Sequence, residues 1–310
     1  LIISLIVYLI STIAIIIFPN IYAMIALRFI QGVSSAGAVV ISRAISTDLY
    51  HGRELAAFFA LLMAVNGLAP ILSPILGSLL LQLTDWRGIF VTLALIGVIL
   101  LAVSFKFNES LAVEKRLDLP ITKTYYSIVH VAKNRLFFAL VIIQGFALAT
   151  MFAYIAASPF ILQTHYSLSP LMYSLCFGLN GFAIVLGSKN AGNFKEKISI
   201  KLGLSLMLLV SIYLAVALTL TLPFLFIEVG FFLLLLGLGF ILPAGSAIAM
   251  SLERERAGSA SAFFGFVPFF LGGVVSPLVG IGNIFHSSAI AIVICSTISF
   301  MTFKLVEKKI

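Results

Sequence analysis

The sequence predicts an all-α polytopic membrane protein, and three observations predict it. Hydrophobic residues make up 62% of the 310 and charged residues only 10%, with a mean hydropathy of +1.20. A soluble domain does not carry that balance. Ten apolar runs of about 18–28 residues follow one another, each long enough to cross a bilayer as a helix. The basic residues alternate between the gaps separating those runs, the pattern left by positive-inside sorting. Membrane strands are excluded, because they read as segments of about ten residues with alternating polarity.

The runs fall at approximately 1–18, 21–42, 55–83, 88–105, 136–163, 171–188, 202–221, 224–250, 259–280 and 287–303. The first has no basic leader and no small-residue cleavage site, so it reads as a span and not as a signal peptide. It opens inside an apolar stretch without an initiator Met, and an N-terminal truncation is the expectation. Of the 19 Lys and Arg residues, seventeen lie in the even-numbered gaps and the C-terminal tail. Arg87 alone lies in an odd gap, and Arg28 lies inside a span. The seventeen therefore face the cytoplasm, together with the C-terminus, and the net charge of +8 reflects topology and not nucleic-acid binding.

The stretch 106–135 is the longest polar segment, with six basic residues and the acids Glu109, Glu114 and Asp118. It predicts a cytoplasmic linker between an N-terminal bundle, 1–105, and a C-terminal six-helix bundle, 136–310. Ser73-Pro74-Ile75-Leu76-Gly77 is echoed 203 residues later by Ser276-Pro277-Leu278-Val279-Gly280, and Arg53 and Arg256 stand twenty residues upstream of the two copies. Both copies enter from the cytoplasm, so the repeat is parallel. The same offset places the start of the first bundle about 68 residues before Leu1, room for two more helices and a six-plus-six arrangement.

Arg28 is the residue that most needs a reason. It sits roughly 12 Å into its span, where a cation costs roughly 2.5–3.5 kcal/mol and normally faces a bundle interior or a wet cavity. Arg28, Gln31, Gly32 and Ser35 share one helical face. Gly67, Pro70, Pro74 and Gly77 in the third span predict a kinked helix with a smooth packing surface, either a hinge and seal or ordinary tight packing. Glu228 is the only acid inside a span of the second half, about five residues from the turn at Pro223. It reads first as an interfacial residue reaching water, and otherwise as a proton or cation site. Gln144, Tyr154 and Asn180 are polar groups on the neighbouring spans, suited to lining a substrate cavity, and the 28 Phe residues supply aromatic faces. Arg87 beside Trp86 predicts an interface anchor. Cys176 and Cys295 read as small buried residues. The four histidines make no metal-ligand spacing, and no phosphate-binding loop or hydrolase elbow is present.

These residues resemble the major facilitator drug/proton antiporters. Arg28-Phe29-Ile30-Gln31-Gly32 is similar to the fourth-helix motif R-x-x-Q-G. Ala69 to Ser78 resembles the fifth-helix motif G-x-x-x-G-P-x-x-G-G, with Ala69, Ser73 and Ser78 in place of glycines. Asp85-Trp86-Arg87-Gly88-Ile89-Phe90 resembles the W-R-x-x-F turn, while Tyr154 to Phe160 and Gly258 to Ala262 resemble the bicyclomycin-resistance (Bcr/CflA) branch.

The resemblance implies a two-bundle fold with ten of an expected twelve transmembrane helices, lacking the first two. It also implies a bacterial inner-membrane location, and proton-driven export of a small amphipathic drug or metabolite by alternating access. No cofactor, nucleic-acid partner or enzymatic activity is expected, and a monomer is. In this reading Arg28 and Gln31 take part in proton coupling by setting the protonation of a nearby carboxylate, since arginine does not itself release a proton. The alternative is a structural anchor whose partner lies on a missing helix. For the whole chain, the alternatives are a truncated product that transports nothing and an uncoupled metabolite carrier.

Overall fold

The computed structural model describes residues 1–50, 54, 72–106, 129–253 and 256–310. Contacts divide the chain into two compact units, Leu1–Asp118 and Leu119–Ile310. All regular structure among the described residues is helical.

In the first unit, α1 (Ile2–Ile17) ends at the Phe18-Pro19 break and α2 (Ile21–Leu49) begins immediately after it. Proline has no N–H to continue a helix. The Asn20 side chain accepts from the Tyr22 and Ala23 amides, which caps the new helix. Next come α3 (Leu72–Leu83) and α4 (Trp86–Ser104), the latter capped by Asp85, which accepts from the Arg87 amide. The Arg87 guanidinium returns to the Asp85 carboxylate at 3.0 Å and lies 4.6 Å from the Trp86 ring centroid. Helix α1 packs against both α2 and α4.

The second unit has six helices: α5 (Arg135–Ser158), α6 (Pro170–Ala191), α7 (Glu196–Thr219), α8 (Phe224–Leu252), α9 (Ala257–Val279) and α10 (Ile284–Val306). Asn134, Ser169 and Asn283 cap α5, α6 and α10 with side-chain oxygens. At Pro159 α5 passes into a π-helical stretch, Pro159–His165, because the imino ring removes a ladder bond and clashes with the preceding turn. Helix α8 lies between α6 and α7, while α5 carries α9 and α10.

The wedge of α8 between its neighbours follows from Gly237-Leu238-Gly239. Residues two apart on a helix differ by about 200°, so the two glycines face opposite sides. A Cβ on Gly203 of α7 would come within 2.5 Å of the Gly237 carbonyl oxygen. A Cβ on Gly187 of α6 would come within 2.9 Å of the Gly239 Cα. Ser199 and Ser188 then donate across the two seams to the Phe240 and Gly239 carbonyls, at 2.9 and 3.1 Å. Lipid offers no hydrophobic drive between helices, so small residues and hydroxyl bonds hold them together.

Eight of these helices are long and apolar enough to cross a membrane, and Ile2–Ile17 and Leu72–Leu83 are shorter apolar helices. Each falls on one of the ten expected runs, of which residues 55–71 of the third lie outside the described residues. Several helices outrun the apolar stretches: α2 continues to Leu49 and α7 starts at Glu196. Backbone hydrogen bonding does not stop where the hydrocarbon does. The Gly67 and Pro70 positions of the expected kink lie outside the described residues, whereas Pro74 and Gly77 belong to α3.

Candidate functional site

Among the described residues, a polar cluster interrupts the apolar helices of each unit. In the first unit, Arg28 on α2 donates through Nη1 to Gln31 Oε1 at 2.6 Å, one turn along the same helix. Gln31 Nε2 donates to Thr12 Oγ1 of α1 at 2.7 Å, and Thr12 in turn donates to the Tyr8 carbonyl at 2.6 Å. Gln31 and Thr12 are buried, and Ser34 and Ser35 both donate to the Gln31 carbonyl. On its other side the guanidinium carbon lies 5.9 Å from the Phe90 ring centroid of α4.

Both polar ends of Gln31 are therefore committed to a bridge between helices. Among the described residues no carboxylate pairs with Arg28. A Cβ at Gly32 or Gly77 would meet none of the described residues within 4 Å. Thr12 was not selected from the sequence, and its only signal there was a hydroxyl pair, Ser11-Thr12, inside a run of Ile and Leu.

In the second unit, three of the four predicted cavity residues come together from three helices. Asn180 of α6 donates through Nδ2 to the Tyr154 hydroxyl of α5 at 3.0 Å and to Glu228 Oε1 of α8 at 3.0 Å. Their exposures are 0% for Asn180, 1% for Tyr154 and 5% for Glu228. The Tyr154 ring stacks on Phe177 at 5.8 Å and leans on Phe231 at 4.8 Å. Nearby, the Tyr173 hydroxyl lies 3.2 Å from Ser158 Oγ. This corrects the first reading of Glu228. It does not reach water as an interfacial group but points into the unit, because Asn180 offers a donor there and the phenylalanines close the surroundings.

Gln144 does not join this group. It lies ten residues before Tyr154 on α5, about 15 Å along the axis, with Oε1 buried and without a hydrogen-bond partner. The repeat copy also behaves differently from its counterpart. Ser276 donates to the Gly272 carbonyl, Pro277 lies in the last turn of α9, and Gly280 is the C-cap. Pro74, by contrast, has nine further residues of helix after it. Gly280 lines a cavity of about 470 Å³ with Phe160, Thr164, His165, Ile284 and Phe285. Cys176 and Cys295 are free thiols, half-buried and buried.

The family described as Major Facilitator Superfamily matches residues 1–277. The chain belongs to the major facilitator superfamily. It is thus a multi-pass membrane protein of a transporter family, not an enzyme. It is 34% identical over 272 residues to the uncharacterized MFS-type transporter YdgK of Bacillus subtilis, covering 86% of this chain and 68% of YdgK. It is 27% identical over 197 residues to the multidrug transporter MdfA of Yersinia pestis, covering 62% of this chain and 47% of MdfA. A bicyclomycin resistance protein homolog of Haemophilus influenzae matches at 25% over 174 residues, covering 56% and 44%. The matches thus span about half the length of the last two relatives.

Among solved structures, a bacterial homolog of the human lysosomal transporter Spinster, inward-facing and unoccupied, superposes with a TM-score of 0.74. It shares 13% identity over 98% of this chain and 82% of that one. The human organic anion transporter MFSD10 gives 0.63 at 19% identity, covering 98% and 76%. Both likenesses concern the major facilitator fold alone.

Proposed function

We propose that this major facilitator chain works in proton-coupled export of small amphipathic drugs or metabolites, within the Bcr/CflA branch. Two bundles, 1–105 and 136–310, would rock about a midplane site, joined by a cytoplasmic linker at 106–135. The charge partition supports a cytoplasmic C-terminus, and the bacterial relatives support a bacterial inner-membrane location. The drug reading is supported by the MdfA and bicyclomycin-resistance relatives.

The observation that carries coupling is the anchored guanidinium of Arg28. Gln31 and Thr12 hold it in one place at membrane depth, and no carboxylate among the described residues neutralises it. A fixed cation favours the ionised form of any carboxyl brought beside it and loses that influence when the carboxyl moves away. That is the elementary step by which a change of conformation releases a proton. A ring face alone contributes only about 0.5–2 kcal/mol to such a cation, so a mobile anionic partner remains favourable.

The test uses everted vesicles acidified by respiration, carrying the protein expressed from its complete gene. Adding an amphipathic substrate should collapse the internal acidity, and Arg28→Ala should weaken the response at least tenfold, about 1.4 kcal/mol. Substrate flux without proton exit would instead establish an uncoupled carrier. Normal coupling in Arg28→Ala would remove the role assigned to that residue.

A further inference from the structure

Among the described residues, Arg28 of the first unit pairs with no acid, and Glu228 of the second pairs with no cation. Asn180 uses both hydrogens of its amide nitrogen, one on Tyr154 and one on Glu228 Oε1. Among the described residues, two acceptors of the same bonded pair, Glu228 Oε2 and Asn180 Oδ1, are buried with no nitrogen or oxygen donor, and the Glu228 carboxyl has only the weakly donating Cys176 thiol beside it. The titratable groups facing Glu228 from the helices around it are the Cys176 thiol and Tyr173 of α6 and Tyr154 of α5. Helix α7 contributes Tyr213, whose hydroxyl is spent on the Phe226 carbonyl. No Lys, Arg or His pairs with Glu228 among the described residues.

We propose that Glu228 is a proton-binding site of the second unit, with Asn180 and Tyr154 as positioning residues. The cluster then takes the coupling proton and not the transported molecule, a deepening that rests on the proton-coupled reading above. The chemistry is that of a carboxylic acid against a primary amide. An amide N–H already donates to one carboxyl oxygen. A single proton, passed from hydronium to Oε2 with release of water, makes an O–H that can donate back to Oδ1 and close an acid–amide ring. One proton thereby satisfies both orphaned acceptors, which are otherwise costly in an apolar interior. Tyr154 and Asn180 are almost fully enclosed, so the closed cluster admits a proton and presents no face to a drug-sized molecule.

The test combines a spectroscopic and a transport measurement on the protein expressed from its complete gene, purified and returned to lipid. Infrared difference spectra between acid and alkaline pH should show the carbonyl stretch of a protonated carboxyl. That band should vanish in Glu228→Gln, which keeps an acceptor for Asn180, and should shift in frequency in Asn180→Leu, which keeps the carboxyl but removes its amide partner. In vesicles, the ratio of pH-gradient-driven to downhill flux should fall at least tenfold in Glu228→Gln. Glu228→Asp should retain gradient-driven flux with a displaced pH profile. An infrared band unchanged in Glu228→Gln overturns the site, whatever the variant transports. A wild type with the Glu228 band but no gradient-driven flux leaves the site standing and overturns the coupling reading. Coupled wild type with equally coupled Glu228→Gln overturns the assignment of the coupling proton to Glu228 and leaves the coupling reading standing.

Discussion

Replacing Gly239 by alanine tests the account of how the second unit is held together. The new Cβ would lie 2.4 Å from the Ile184 carbonyl oxygen, 2.9 Å from the Gly187 Cα and 2.9 Å from the Ser188 amide nitrogen. All three are backbone atoms of α6, so no side chain can swing aside and the helices must separate by about 1 Å to restore ordinary contact. Overpacking of that kind costs about 1–3 kcal/mol. The same separation lengthens the 3.1 Å bond from Ser188 to the Gly239 carbonyl, and an interhelical bond in a membrane contributes about 0.6 to 1.7 kcal/mol. The combined loss of roughly 2–5 kcal/mol corresponds to a fall in melting temperature of roughly 4–20 °C for a unit of this size. Thermal unfolding of purified protein in detergent measures it. Gly265→Ala is the control, since a Cβ there meets nothing within 4 Å, and its melting temperature should hold or rise slightly. A Gly239→Ala protein melting within about 1 °C of wild type would refute the seam, as would an equal loss in Gly265→Ala.

Thr12→Val keeps the shape of the α1–α2 contact but removes the acceptor for Gln31 Nε2. It should destabilise the first unit by about 1–3 kcal/mol, read as a lower melting temperature, with proton coupling weakened in the same direction as Arg28→Ala. Asp85 offers a pH test through Trp86, the only tryptophan of the chain. The Arg87 hydrogen bond outweighs the opposing effect of burial and holds the Asp85 carboxyl below its ordinary value of 3.8. A depressed carboxyl contributes stability above its ordinary value and loses it as the pH falls through the folded value. Acidification should therefore release Arg87 from the Trp86 face, with a tryptophan-emission midpoint below 3.8, and Asp85→Asn should abolish that transition.

The class of the protein and its ten helical runs were legible because a bilayer imposes one length and one composition on every span. The helix starts at Asn20, Asp85, Asn134, Ser169 and Asn283 were also local matters, each a side-chain oxygen before an apolar run. The inward-facing side of each helix was far less legible. In lipid, helices such as α5, α6 and α8 are apolar on nearly every face, so amphipathic periodicity carries little information about partners.

The sequence by itself therefore determined a helical membrane protein, the sorting of its charges, and the residues that resemble a transporter family. Tertiary structure alone decided that Gln31 is a bridge to Thr12, that Glu228 turns inward to Asn180 and Tyr154, and that Gln144 stands apart. It also decided that Gly187, Gly203, Gly237 and Gly239 form the close seams, while a Cβ at Gly32 or Gly77 meets none of the described residues. The physical reason is one of range. Span length, caps and charge sorting depend on the local chain and its solvent. The pairing of an amide with an acid 48 residues away depends on how three apolar cylinders pack.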